Sequence, residues 1–227
     1  MKKIKVKNTT SLSNFQKSIK RTNELIHSII GNIVATEATL DILSKNNKQI
    51  YKHPVAKSLK VNANDKNYIF ELGFIALFAN FEAFMHKLIS DLIIKYPKSI
   101  KESDQMIKIG EVISMSSGKK IKEYIIDNTA VENSFSIDKW ETYLKDRFNI
   151  KAFPDEKFKE ELCIINELRN LYLHSGGITN SLFARNIKKY FKSTVPINQK
   201  IDFIDRKKYF YILSRMLIDL YKYLFTQ

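Results

Sequence analysis

The sequence predicts an all-helical fold, and three observations carry that prediction. Apolar side chains recur at helical spacing over long stretches. Helix breakers are scarce, with 6 Gly and 4 Pro in 227 residues. Only one short alternating piece, Lys200-Ile201-Asp202-Phe203-Ile204, reads as extended chain. A chain of this length can bury its own core, so 1–227 is expected to form a single domain.

The elements follow in order. Over 11–45, Ile19, Leu25, Ile26, Ile29, Ile30, Ile33, Val34, Leu40 and Leu43 keep a helix period and predict a long amphipathic helix. The period is lost over 46–67, which contains His53-Pro54 and is rich in Lys and Asn, so this stretch reads as a connector. Over 68–96, Phe70, Phe74, Leu77, Phe78, Phe81, Met85, Leu88, Leu92 and Ile93 mark the most hydrophobic helix, expected at the centre of a bundle. Pro97 ends it, because proline cannot continue the hydrogen-bond ladder. Residues 98–155 carry short helical patterns near 105–115, 119–127 and 137–148, with Ser- and Asn-rich breaks, and read as an insertion of small helices. From Asp155, the residues Phe158, Leu162, Ile165, Arg169 and Tyr172 fall on one stripe, so an arginine interrupts an otherwise apolar face. Residues 178–205 are looser, and a last helix is expected over about 205–225 on Tyr209, Ile212, Leu213, Met216, Leu217, Leu220 and Leu224.

Composition narrows the function classes. The longest uninterrupted apolar run, 72–79, falls far short of the roughly 20 residues needed to cross a bilayer, so no transmembrane helix is expected. The basic residues at 2–7 lead into polar 8–13 rather than an apolar segment, so no secretory signal is expected. Cys163 is the single cysteine; an internal disulfide is impossible, and a reducing cytoplasm is the expected home. A net charge of +14 favours a polyanionic partner. That signal is diluted, because 32 of the 38 basic residues are Lys and Ile and Asn are also abundant, a pattern that genome composition alone produces. With only six Arg, each one at a special position says more than any Lys.

The stretch Arg169-Asn170-Leu171-Tyr172-Leu173-His174, followed by Ser175-Gly176-Gly177, closes an apolar helix with a guanidinium, a carboxamide and an imidazole. Asn170 and His174 are i and i+4 and share a face, whereas Arg169 and His174 are i and i+5 and do not stack on a straight helix. Bringing them together requires either a loosened helix end or a second chain. A guanidinium fork holds a phosphate bidentately and stabilises charge developing on it. An imidazole trades a proton near neutrality with a ribose 2′-hydroxyl or a leaving 5′-oxygen. Together these groups can cut RNA without a metal. The plainer alternative makes His174 a helix C-terminal residue favoured by the macrodipole, with Arg169 in a salt bridge.

The segment Glu167-Leu168-Arg169-Asn170-Leu171-Tyr172-Leu173-His174-Ser175-Gly176-Gly177 resembles the motif of HEPN domains, an Arg followed by a polar residue and, after a short interval, a His. The helix carrying Phe78-Ala79-Asn80-Phe81-Glu82-Ala83-Phe84 resembles an earlier helix of the same bundle. The resemblance is closest to the ribonucleases of bacterial toxin and defence systems. It implies a HEPN-type bundle with long antiparallel helices, a homodimer with the site in the cleft between two copies, and Arg169, Asn170 and His174 as catalytic residues. It further implies an RNA substrate, no cofactor or metal, no membrane association, and an antitoxin or defence-system protein as a further partner. The alternative within the family is a catalytically silent module that binds RNA, a nucleotide or a partner protein.

Other residues rank below these. Glu82, with His86 one turn later, is a candidate supporting group, or else half of an ion pair; Glu167 is a second supporting candidate. Arg21 and His27 repeat a similar spacing in mid-helix and read as structural. Ser116-Ser117-Gly118-Lys119-Lys120 lacks the upstream Gly of a phosphate loop and reads as a solvated turn. The remaining histidines and Cys163 show no metal-ligand spacing. Lys188, Lys189 and Lys192, and Arg206, Lys207 and Lys208, interleaved with Tyr190, Phe191 and Tyr209, suit either an RNA backbone or a plain amphipathic surface.

Overall fold

The structure is a computed structural model that describes residues 6, 9–46, 49, 52–54, 63–100, 109–134, 136–190, 195–200 and 206–227. The described residues form helices throughout, with one isolated bridge between Ile178 and Lys200. The expected extended piece at 200–204 lies outside them beyond Lys200, as do Phe191, Lys192 and most of the connector at 46–67.

Helices α1 (Thr10–Asn46) and α2 (Ala63–Lys95) form the spine. They run antiparallel, since the Ser11 amide donates to Asp91 at one end, Asn80 donates to Thr22 midway, and Lys66 meets Glu37 at the other. Helix α8 (Arg206–Thr226) packs on both. Gly73 is where the three meet: a Cβ there would lie 2.8 Å from Ile26 and 2.9 Å from Phe210, so only glycine lets the helices approach this closely. The core is strongly aromatic. Phe15 stacks on Phe84 at 4.1 Å between ring centroids, and Phe81 meets Trp140 edge-on at 5.1 Å.

The stretch at 98–155 contains α3 (Ile109–Ile113), α4 (Gly118–Asn133) and α5 (Ile137–Phe148). Side chains of α4 and α5, including Ala130, Trp140 and Leu144, are buried in the same hydrophobic cluster as α2. The 116–120 run, expected as a solvated turn, starts a helix instead: Ser117 caps α4 by accepting from the Lys120 amide. Ser136 caps α5 in the same way through Lys139.

Among the described residues two helical stretches, Thr10–Asn46 and Lys66–Lys95, are long and apolar enough to cross a membrane by length and composition alone. Neither stretch contains a long uninterrupted apolar run, because single polar residues break runs without lowering the average much. In α2 one face, with Phe70, Phe74, Leu77, Phe78, Phe81, Met85, Leu88, Leu92 and Ile93, packs inside the bundle as a central helix requires, while Leu72 on the other face is exposed. On α1, Leu25, Val34, Ile42 and Leu43 remain exposed.

Helix α6 (Glu156–Ser175) carries the motif. Asp155 caps it through the Phe158 amide, and Lys159 ties its first turn to Asp138 and Glu141 of α5 at 2.9 and 2.8 Å. A short helix α7 (Ser181–Ile187) follows.

Candidate functional site

The stripe read from the sequence faces the core: Leu162, Ile165 and Tyr172 are buried, and Arg169 sits among them with a side chain only 16% exposed. A cation on an apolar stripe needs a partner, because an isolated buried charge is far too unfavourable. Glu82 on α2 supplies it through an ion pair with the Arg169 Nη2 atom. The guanidinium lies over the Phe78 ring, 5.2 Å from its centroid. Its Nη1 donates to Asn170 Oδ1 at 2.9 Å, and its Nε is buried without an acceptor among the described residues. Burial lifts the Glu82 carboxyl above the ordinary glutamate range, against the opposing pull of Arg169.

His174 is not beside Arg169. Helix α6 stays regular through Ser175, so the loosened helix end that would have stacked the two residues does not occur. The helix then stops at Gly176 and Gly177, with φ of 56° and 80°, and both amides donate to the Leu171 carbonyl. A Cβ on Gly177 would come within 3.2 Å of the Tyr172 ring. His174 is exposed on the other side of α6 and lines a cavity of about 190 Å³ with Glu167, Asn170, Ser175, Asn180, Leu182, Phe183 and Asn186. Asn170 therefore links the two halves, accepting from Arg169 while it lines the His174 cavity.

The second candidate carboxylate, Glu167, accepts from Asn186 Nδ2 at 3.0 Å. Asn180 caps α7 through the Phe183 amide and donates its Nδ2 to Ser175 Oγ at 2.9 Å. The loop after the motif is held by Thr179, whose hydroxyl donates to the Pro196 carbonyl at 2.7 Å. The sequence reading missed the α7 side of this cavity. Its one available signal was Asn180 standing three residues before Phe183, a helix N-cap directly after the Gly-Gly stop.

The remaining candidates settle into structural roles. His27 meets the Tyr211 hydroxyl of α8 at 2.9 Å. Arg206 pairs with Glu71 at 3.2 Å and lies over the Tyr172 ring. Burial pushes both the Glu71 carboxyl and the Tyr172 hydroxyl up. Cys163 is half-buried beside Tyr190, and burial raises its thiol. Among the described residues, no three of His, Cys, Asp and Glu cluster as a metal-ligand set. No protein-family model matches the chain, and no curated protein and no solved structure matches it either.

Proposed function

We propose that this protein is a HEPN-type, metal-independent endoribonuclease acting as a homodimer in the cytoplasm, as a toxin or defence effector under the control of a partner protein. The observation that carries the reading is the chain of contacts Glu82–Arg169–Asn170 leading into the cavity edged by His174. It joins a phosphate-binding fork to an exposed imidazole through one carboxamide.

In this reading His174 takes the proton of a ribose 2′-hydroxyl as its oxygen attacks the adjacent phosphorus. The bond from phosphorus to the 5′-oxygen breaks, and the leaving oxygen receives a proton from the His174 of a second copy. The products carry a 2′,3′-cyclic phosphate and a 5′-hydroxyl. Arg169 stabilises the non-bridging oxygens of the pentacoordinate species, and the phosphate displaces Glu82 from part of the fork to reach it. A second copy of the chain closes the distance between Arg169 and His174 that a single regular helix leaves open.

Purified protein should cleave RNA in EDTA and leave cyclic phosphate ends. His174→Ala should lower the rate by roughly 10²–10⁴-fold, and Arg169→Ala should lower it as well. Loss of cleavage under chelation, or full activity in either variant, overturns the reading.

The engagement of Arg169 by Glu82 supports a second reading, a silent module that binds RNA, a nucleotide or a partner protein without turnover. It is preferred if the wild type binds RNA without cutting it and the alanine variants lose affinity alone.

A further inference from the structure

The cavity beside His174 presents an ordered set of hydrogen-bonding groups, and its internal bonds fix which groups face the opening. Carboxamide orientations are ordinarily ambiguous, but each one here is dictated by its partner. Arg169 has only donors, so the atom of Asn170 that meets it is oxygen, which leaves the Asn170 Nδ2 to face the cavity as a donor. Glu167 is an acceptor as a carboxylate, so the atom of Asn186 that meets it is nitrogen, which leaves the Asn186 Oδ1 as an acceptor. Among the described residues Glu167 keeps its second carboxylate oxygen open as another acceptor. Asn180 is held at both ends, its Oδ1 by the Phe183 amide and one Nδ2 hydrogen by Ser175, so its main role is to build the wall.

The spatial order follows from the elements. Asn170 and Glu167 are three residues apart on α6 and hence neighbours on its surface. Glu167 is in turn bonded to Asn186 of α7. Along Asn170, Glu167 and Asn186 the open groups therefore run donor, acceptor, acceptor, with the Ser175 hydroxyl and the second Asn186 Nδ2 hydrogen as further donors of the wall. Among the described residues no lysine or arginine lines the cavity, which favours a neutral ligand over a phosphate. Its volume of about 190 Å³ lies below the roughly 300–1,000 Å³ of sites that enclose drug-sized ligands and suits a single flat heterocycle. Leu182, 54% exposed, offers that heterocycle an apolar face.

We propose that this cavity binds a guanine base, with Glu167 as the specificity-determining residue. The Watson–Crick edge of guanine presents acceptor, donor, donor: O6 to the Asn170 amide, N1–H to the Glu167 carboxylate, and the N2 amino group to Glu167 and Asn186. Adenine and cytosine place an amino donor where Asn170 also donates, and uracil lacks the amino group that Glu167 and Asn186 accept from. Bases splayed from single-stranded RNA are read through hydrogen bonds on this edge. The inference rests on the ribonuclease reading for its RNA and predicts cleavage beside guanosine.

The test titrates full-length protein with GMP, IMP, AMP, CMP and UMP, monitored by calorimetry and by NMR shifts of the Asn side-chain amides. IMP lacks only the N2 amino group, so the ligand series reports without any variant. The expected order is GMP, then IMP, then the other three. GMP should bind about tenfold or more tighter than AMP, in line with the discrimination of a good bidentate base contact. Glu167→Gln should abolish that preference while the helical circular dichroism stays unchanged. Equal binding of all five nucleotides, or a GMP preference that survives Glu167→Gln, overturns the assignment. Mapping cuts on a mixed-sequence RNA separates the two readings. Cleavage without a guanosine preference rejects the guanine cavity and leaves the nuclease standing. Selective GMP binding without cleavage keeps the cavity and rejects the nuclease.

Discussion

Helix α2 offers two carboxylates on one face, about three turns apart, and each pairs with an arginine from a different helix over an aromatic ring. Glu71 holds Arg206 of α8 beside Tyr172, and Glu82 holds Arg169 of α6 over Phe78. The chemistry is the same and the surroundings differ. The Glu71 side chain is 13% exposed, in a closed corner lined by Phe74, Leu168, Tyr172 and Tyr209. That of Glu82 is 37% exposed, and its arginine hands a further hydrogen bond to Asn170 at the edge of an open cavity. The first pair staples the start of α8 to the spine. The second is within reach of a ligand. Two of the six arginines in a lysine-rich chain are used in this way, where a planar fork and a stacked ring favour Arg over Lys.

The largest effect is expected on breaking the closed pair. Arg206→Ala leaves the Glu71 carboxylate buried without its main partner, which should destabilise by about 3 kcal/mol, the lower end of the range for half of a buried ion pair. For a chain of this size that corresponds to a fall in Tm of roughly 6–12 °C, readable by thermal circular dichroism. Arg169→Ala should lose only about 1 kcal/mol, because Glu82 reaches solvent and is screened. A larger loss for Arg169→Ala than for Arg206→Ala would reverse the assignment of roles.

A smaller effect reaches the closed pair through the end of the motif helix. Gly177 has a φ that L side chains rarely adopt, and it packs against the Tyr172 ring on which Arg206 lies. Gly177→Ala should destabilise by about 2 kcal/mol, the upper end for a left-handed residue. Gly176→Ala, with nothing near its added Cβ, should lie nearer about 1 kcal/mol. Equal losses in urea unfolding would show that the Tyr172 contact is soft.

The same contrast explains what the sequence made legible. Arg169 interrupting the stripe of Phe158, Leu162, Ile165 and Tyr172 was visible as a pattern, and so was Glu82 among apolar neighbours; their pairing required knowing that α2 and α6 cross at those residues. The helix stop at Gly176 and Gly177 is local turn chemistry and could be read directly. The α7 wall of the cavity could not, because Asn180 and Asn186 become neighbours of Asn170 and Glu167 only after the chain reverses past the stop. The 98–155 stretch reads as an insertion of small helices because its helical patterns are short and separated by Ser- and Asn-rich breaks. Trp140 against Phe81 places α5 in the main core, a contact that helical periodicity does not encode.

Titration separates the pairs further. Burial raises both carboxyls, so in each case the folded protein holds its proton where the unfolded chain has released it. Stability from such a group is fully present below the ordinary glutamate range and declines as pH rises through the folded value. Glu71→Gln should flatten that decline in denaturant midpoints as pH rises above the ordinary glutamate value of about 4.3. Glu82→Gln should flatten it less, because its carboxyl is the more solvated.

The smallest effect is the one that bears most on function. Glu82→Gln keeps an acceptor oxygen for the Arg169 fork while removing the charge that neutralises it. On the proposed ribonuclease reading, an approaching phosphate then competes with a neutral amide instead of a carboxylate, and RNA affinity should rise by about fivefold, equivalent to about 1 kcal/mol for a partly screened charge. The salt dependence of binding should steepen, because one more cation is free to displace counterions. Glu71→Gln should leave both quantities unchanged, since Arg206 stays enclosed against Tyr172. If the two substitutions alter RNA binding alike, α2 tunes the overall charge of the surface and Glu82 has no special hold on the phosphate fork.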